Sequence, residues 1–362
     1  MNETSQSLVC LMGAAMGNPV AKGFPDVVDW EALLRLADRH HVAAVAYDGV
    51  QAMGLEMSKE ERLKWIGCVM LTESRYRKYE GAVSRLAAFY RRHGIRMMVL
   101  KGYGLGMEWP QPSHRAMGDI DIFVWRESDE EMRCCQKEAD ALLESEMGVK
   151  VDFTHEHHSV FLFEGFTVEN HYDFINVTDL RSSKPIEEHL KRLVLHGVRE
   201  AHVLGTQIWL PPVEFNAAFL IRHLGRHFSG SEITLRQLLD WALFVRRYHD
   251  AFDWASLEQF CTETGLVDFA RCVNSICARE LCFDEEIFHG FLSSDDRLIG
   301  RIANDIMEPE FSPKVPKGRL PFAFYRLRRF FANGWKRRIT YTESSLQAFF
   351  SIGMSHLRHG DF

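Results

Sequence analysis

The chain has 362 residues, 46% apolar and 26% charged, with 43 basic and 50 acidic side chains giving a net charge of −7. This balance excludes a disordered chain. It also disfavours a protein whose main task is to coat nucleic acid, since counterion release needs a basic surface. The 8 cysteines are scattered without a Cys-x-x-Cys, which suits a reducing, cytoplasmic setting. No apolar run reaches the roughly 18 residues of a membrane span, so no membrane partner is expected.

Leu8 to Met16 is apolar, but Glu3 and no Lys or Arg precede it. It therefore reads as a first helix stopped by Gly17-Asn18-Pro19 and not as the core of a signal peptide. Asp29 is placed to cap a helix through Tyr47. Ser58, with Glu61 three residues on, forms a capping box for a helix that runs to His93 and stops at Gly94. The period then changes. Met97 to Leu100, Ile120 to Trp125, Val160 to Phe163, Phe166 to Phe174 and Gln207 to Leu210 read as strands, with a helix from about Ser128 to Met147. After Pro211-Pro212 helical spacing returns over 213–228, 232–249, 254–264, 266–282, 295–306, 320–332 and 344–357. The expected class is α+β, a small mixed β-sheet core flanked by helical segments. Its parts are an N-terminal helical region 1–95, a sheet core 96–210 and a C-terminal helical domain 211–362.

The chemistry concentrates between Val99 and Val124. Asp119 and Asp121 are two apart in an apolar strand, so both carboxylates share one face while Ile120 and Ile122 take the other. Two charges on a strand that otherwise reads as buried are costly unless a cation compensates. A hard divalent ion, Mg²⁺ or Mn²⁺, is the natural one. Upstream, a strand runs into Lys101-Gly102 and an expected helix from Tyr103 to Trp109. Such a turn lets backbone amides approach phosphate oxygens, and Lys101 adds a charge beside them. Gly118 directly precedes the Asp pair. In Thr167-Val-Glu-Asn-His-Tyr-Asp, Glu169 and His171 alternate onto one face. Glu169 can complete a metal site or take a proton from an attacking hydroxyl, and His171 can meet a phosphate or the acceptor.

Leu100-Lys-Gly, Arg115 ahead of Gly118-Asp-Ile-Asp, and the later Glu-x-His strand together resemble the uncharacterised nucleotidyltransferase family of the DNA polymerase β-like nucleotidyltransferase superfamily. The turn here is Lys101-Gly102-Tyr103 where the superfamily usually has Gly-Gly or Gly-Ser. The resemblance implies a nucleotidyltransferase sheet core with Asp119, Asp121 and Glu169 as metal carboxylates. It implies transfer of a nucleoside monophosphate from an NTP such as ATP to a hydroxyl, with release of pyrophosphate. The acceptor, a small molecule or a protein, is not specified by any motif. A catalytically silent relative that binds a nucleotide or a partner is the competing expectation.

Other features fill in the picture. Arg115 can fork onto a triphosphate, and Arg suits that geometry better than Lys. The run Thr154-His-Glu-His-His lacks the spacing of His-Glu-x-x-His; His155 and His157 can share a strand face, with no third ligand evident. His223 and His227 lie four apart on one expected helix, and Arg236 and Asp240 lie four apart on the next. They are expected to line a helix packing surface, with a polar seam able to close over the base or the acceptor. From Lys314 to Arg338 there are nine basic residues and no acidic one. This basic segment 314–338 reads as a solvated helix, with nucleic acid an unlikely partner.

Overall fold

The computed structural model describes residues 1–19, 23–126, 132–155, 157–177, 182–230, 232–311 and 315–343. Helix α1 (Glu3–Ala15) starts where the Asn2 side chain accepts the Ser5 N–H and closes before Gly17, at φ +72. The helix expected from Asp29 to Tyr47 is two helices, α2 (Trp30–Arg39) and α3 (Ala43–Ala52). Asp29 caps the first, accepting from Ala32 at 2.9 Å. His41 then takes a left-handed conformation, φ 57, and the Val42 N–H reaches back to the Ala37 carbonyl. This Schellman-type stop uses histidine where glycine is usual, so an apolar stripe that continues past it hid the break. Helix α4 (Lys59–Arg92) has the expected capping box, with Ser58 N–H to Glu61 at 2.8 Å and Glu61 N–H to the Ser58 hydroxyl at 3.3 Å.

The chain continues through β1 (Arg96–Val99), α5 (Tyr103–Gly106), β2 (Ile120–Trp125), α6 (Met132–Met147), β3 (Val151–Asp152), β4 (His158–Phe163) and β5 (Phe166–His171). Next come α7 (Ser183–Leu193), β6 (Arg199–Val203), β7 (Thr206–Leu210), α8 (Val213–Gly230), α9 (Leu235–Tyr248), α10 (Trp254–Glu263) and α11 (Val267–Arg279). Helices α12 (Asp296–Met307), α13 (Arg319–Ala332) and α14 (Gly334–Arg338) complete the described elements. Strands β3 and β6 and helix α7 were not expected from the sequence. The expected helix over 344–357 lies outside the described residues. Among the described residues no helix is long and apolar enough to cross a membrane.

Two compact units emerge. One takes in Gly67–Thr178 and Ser183–Asn216, and the other the remaining chain. The first holds a seven-stranded mixed sheet of order β3-β4-β5-β2-β1-β7-β6. The pairs β2/β5 and β1/β7 are parallel and the others antiparallel. Two tight turns set its hairpins. Glu164-Gly165 and Leu204-Gly205 all have positive φ, the primed-turn signature that matches strand twist. Ile120, Ile122 and Val124 of β2 pack into one apolar cluster with Tyr79, Val83, Leu86 and Tyr90 of α4 and Cys135, Ala139 and Leu143 of α6. The opposite face of β2 carries Asp121 and Phe123, and Phe123 meets Phe174 at 5.4 Å. Packing of Ile120, Ile122 and Val124 into this cluster thus leaves Asp121 to the other face, which is buried too.

The second unit is helical. Gly49 of α3 sits so close to α1 that an added Cβ would lie 2.2 Å from the Leu11 carbonyl oxygen, so only glycine fits this helix contact. The basic segment departs from the expected solvated helix. Lys336 is 1% exposed and bonds to buried Asp305 at 2.5 Å, over the Phe228 ring. Arg337 is also buried and stacks on Phe330. Charge runs report on composition, and here a buried acidic partner lies outside the run.

The segment after β5 is held from α7. Buried Glu187 accepts the N–H groups of Phe174 and Ile175, at 3.0 Å each to one oxygen. Burial pushes its carboxyl up to about 7, although these hydrogen bonds and Lys191 pull the other way. The folded protein therefore keeps this proton to higher pH than the unfolded chain, whose value is near 4.5. The native state binds more protons in that window, so stability falls as pH rises through it. Glu187→Gln keeps an acceptor oxygen and removes the titration. Denaturant unfolding at pH 5 and pH 8 should show wild type losing stability relative to Glu187→Gln by roughly 2–3 kcal/mol. Parallel pH profiles of the two proteins would contradict this.

Candidate functional site

Asp121 lies in β2, the second strand in sequence and the centre of the seven-strand order. Its neighbour across the parallel pair with β5 is Glu169, directly opposite. Residues opposite one another on adjacent strands share a face, so the two carboxylates lie on the same side of the sheet. Asp119 is just ahead of β2, two residues from Asp121, and is exposed. Asp121 is 7% exposed. The Leu100 N–H donates to the Asp121 carbonyl at 3.0 Å, which brings the end of β1 to the same place. The next residue is Lys101, whose Nζ is 2.8 Å from Asp121 Oδ1.

The electrostatics follow from this crowding. Asp119 is open to solvent on one side, but the partial desolvation of its carboxyl, then the negative charges of Glu169 and Asp121, push it up. Burial pushes Asp121 the same way, but the Lys101 ammonium and a hydrogen bond from His171 outweigh it and hold Asp121 well below the usual carboxylate range. His171 is 3% exposed, with Nε2 3.2 Å from Asp121 and 3.5 Å from Glu169. Burial would lower its pKa, yet hydrogen bonds to the two carboxylates raise it. Glu169 is driven up by burial and brought below its ordinary value by His171. Lys101 and His171 thus supply positive charge to an otherwise repelling acidic pair.

The turn that delivers Lys101 is built around Gly102. Its φ of 55 and ψ of −103 suit the first central position of a type II′ turn, and the Gly104 N–H donates to the Lys101 carbonyl at 3.2 Å. An added Cβ would lie 2.7 Å from the Tyr79 hydroxyl, which itself donates to the Asp119 carbonyl at 3.2 Å. Arg75 of α4 donates to the Met117 carbonyl at 2.7 Å. Helix α4 therefore fixes the backbone on both sides of Gly118. The expected helix from Tyr103 to Trp109 is shorter, ending at Gly106. Arg115 is buried, its Nη1 near Met117 Sδ at 3.4 Å and its stem against Gly106.

Sequence reasoning missed His158. It pairs across the hairpin with His171, and its ring nitrogen, one Glu169 oxygen and one His171 nitrogen all lie within 4.8 Å of one another. Burial, reinforced by the charge of His171, lowers the His158 pKa to about 4. This leaves a neutral imidazole, the form that binds metal. The available signal was the Glu164-Gly165 turn: a two-residue loop pairs Phe163 with Phe166, and counting back sets His158 opposite His171. The sequence reading had weighed His155 and His157 instead. The strand expected to reach Phe174 ends at His171, and Asp173 pairs with Lys191.

His223, His227, Arg236 and Asp240 belong to the other unit. The two histidine rings meet at 4.3 Å on α8, Asp240 is buried on α9, and the charge of Arg236 acts on His41.

The family model for an uncharacterised nucleotidyltransferase matches residues 26–281. No curated protein and no solved structure matches the chain. The matched region contains Lys101, Asp119, Asp121, Glu169 and His171. Strand register sets Asp121 beside Glu169, whereas Asp119, Asp121 and Glu169 are not among the groups of described residues whose ligand atoms all lie within 4.8 Å of one another. The chain belongs to this family of uncharacterised nucleotidyltransferases.

Proposed function

We propose that the protein is a divalent-metal-dependent nucleotidyltransferase of the cytoplasm, moving a nucleoside monophosphate from an NTP to a hydroxyl of a small-molecule or protein acceptor. The observation that carries this reading is the register match of Asp121 with Glu169 beside Asp119, with Lys101 Nζ 2.8 Å from Asp121. Three carboxylates of one neighbourhood offer the hard oxygen donors that Mg²⁺ or Mn²⁺ takes, and the raised Asp119 carboxyl reports repulsion that a cation would relieve. Neutral His158 beside Glu169 adds a nitrogen donor, which favours Mn²⁺ over Mg²⁺. Such an ion would neutralise phosphate charge and polarise the phosphoryl group.

The chain's own residues do the rest. Lys101 releases Asp121 and moves its charge to the phosphates. Gly102, without a side chain, lets backbone approach them, and Arg115 and Gly118 are assigned to the nucleotide side of the loop. Glu169 accepts the proton of the acceptor hydroxyl, oriented by its hydrogen bond to His171. The hydroxyl oxygen bonds to the α-phosphorus as the bond to pyrophosphate breaks. Incubation with each α-labelled NTP and Mg²⁺ or Mn²⁺ in lysate tests this: label should appear on an acceptor with pyrophosphate released. Nucleotide binding without turnover would establish the silent relative.

Two variants separate chemistry from folding. Asp119→Asn removes a repelled, exposed carboxylate and should abolish transfer with a melting temperature at or slightly above wild type. Asp121→Asn removes the buried partner of Lys101 and His171 and should cost roughly 3 kcal/mol or more as well as activity. Equal stability of the two, measured by denaturant unfolding, would contradict the assigned charges.

Lys101 and a metal ion compete for Asp121. Lys101→Met should therefore bind Mn²⁺ more tightly in the absence of nucleotide and bind a non-hydrolysable NTP about tenfold more weakly with metal present. Calorimetric titration reads both. Loss of affinity for metal and nucleotide alike would mean that the lysine is structural.

A further inference from the structure

Besides His158, Glu169 and His171, the described residues hold one other group with metal-ligand geometry: His249, Asp250 and His289. It lies in the helical unit, away in sequence from every residue assigned above. His249 caps the C-terminus of α9, Asp250 follows it, and His289 caps a short 3₁₀ turn, Glu285–Phe288. The three ligand atoms form a nearly regular triangle. His249 Nδ1 is 3.2 Å from His289 Nε2 and 3.2 Å from Asp250 Oδ1, and His289 Nε2 is 3.4 Å from Asp250 Oδ1.

We propose that this triangle is a site for a divalent transition-metal ion of the zinc class. Zinc sits about 2.0–2.1 Å from nitrogen and carboxylate oxygen, and tetrahedral angles then separate its ligands by about 3.3–3.4 Å. The three measured sides bracket that spacing. Hydrogen bonding alone fits less well. Each ring nitrogen carries at most one proton, and a proton points along one side, so two protons serve at most two sides of the triangle. One cation satisfies all three. The supporting groups are also in place. The Trp254 indole stacks on the His289 ring at 5.5 Å and donates through Nε1 to the His249 carbonyl at 2.8 Å, so one side chain orients both ligands. His289 holds a left-handed backbone, φ 48, which most non-glycine residues avoid. The Asp250 side chain is 79% exposed, giving an ion access from solvent and leaving the fourth position to water. The bound ion would staple the end of α9 to the segment that follows α11.

The test is titration of the full chain with ZnCl₂ in metal-free buffer. The background is His158→Ala with Glu169→Gln, which takes two of the three donors from the other group with metal-ligand geometry and one carboxylate from the acidic set beside it. One zinc per chain should bind and raise the melting temperature. Adding His289→Gln, which keeps a polar side chain, should weaken binding at least tenfold and remove the thermal shift, and Asp250→Asn should do the same at an exposed position that cannot unfold the protein. With Co²⁺ in place of zinc, the visible absorption of a tetrahedral site should appear in the background protein and vanish in both variants. Zinc affinity unchanged by both substitutions, or no zinc bound by the background protein, would overturn the proposal.

Discussion

Two carboxylates directly opposite each other on neighbouring parallel strands repel, and partial burial strengthens that repulsion. The sheet unit is arranged around meeting this constraint. Lys101 comes from the end of β1, His171 from the end of β5, and each sets positive charge against Asp121. Neither could do so without the strand order β5-β2-β1, which makes the acidic strand the neighbour of both. The turn after β1 must then be tight enough to hold the lysine in place. That is the work of Gly102, pressed under the Tyr79 hydroxyl. Helix α4 thus serves two ends with one surface: its apolar side buries the sheet, and its polar groups tie down the loop that enters β2.

The opposition of Asp121 to Ile120 and Ile122 was legible because a period of two is robust. Ile120, Ile122 and Val124 fill one apolar cluster, so alternation turns Asp121 to the other face of a strand that is buried on both. The capping box at Ser58 was legible for a similar reason, since it is a local exchange of hydrogen bonds within four residues. What escaped depended on neighbours in space. The break between α2 and α3 rests on a left-handed histidine, a conformation that residue identity alone does not announce. Strand β6 alternates too weakly to stand out, and only its turn and its partner β7 define it. His158 gains its place from the strand across the hairpin, so no reading of its own neighbours would have marked it.

Charge runs were the least informative feature. The segment from Lys314 to Arg338 looked like one solvated surface, but Lys336 has a buried aspartate as partner and aromatic rings around it. Burying an ammonium is costly unless its partner is fixed, and Asp305 on α12 is 31 positions upstream in sequence. Solvation is a property of the folded surface, and composition averages over it.

The Glu164-Gly165 turn has a consequence for how this site can vary. The carboxylate pair is registered by the contact of β5 with β2, whereas His158 is registered by the hairpin of β4 with β5. The two registers are independent. Lengthening the turn by one residue would slide β4 past β5 and turn the His158 side chain to the opposite face, while Glu169 stayed beside Asp121. The acidic pair and His158 are therefore separable parts, and a change of loop length, with no substitution in either strand, is enough to take one imidazole away from the carboxylates while His171 stays beside them.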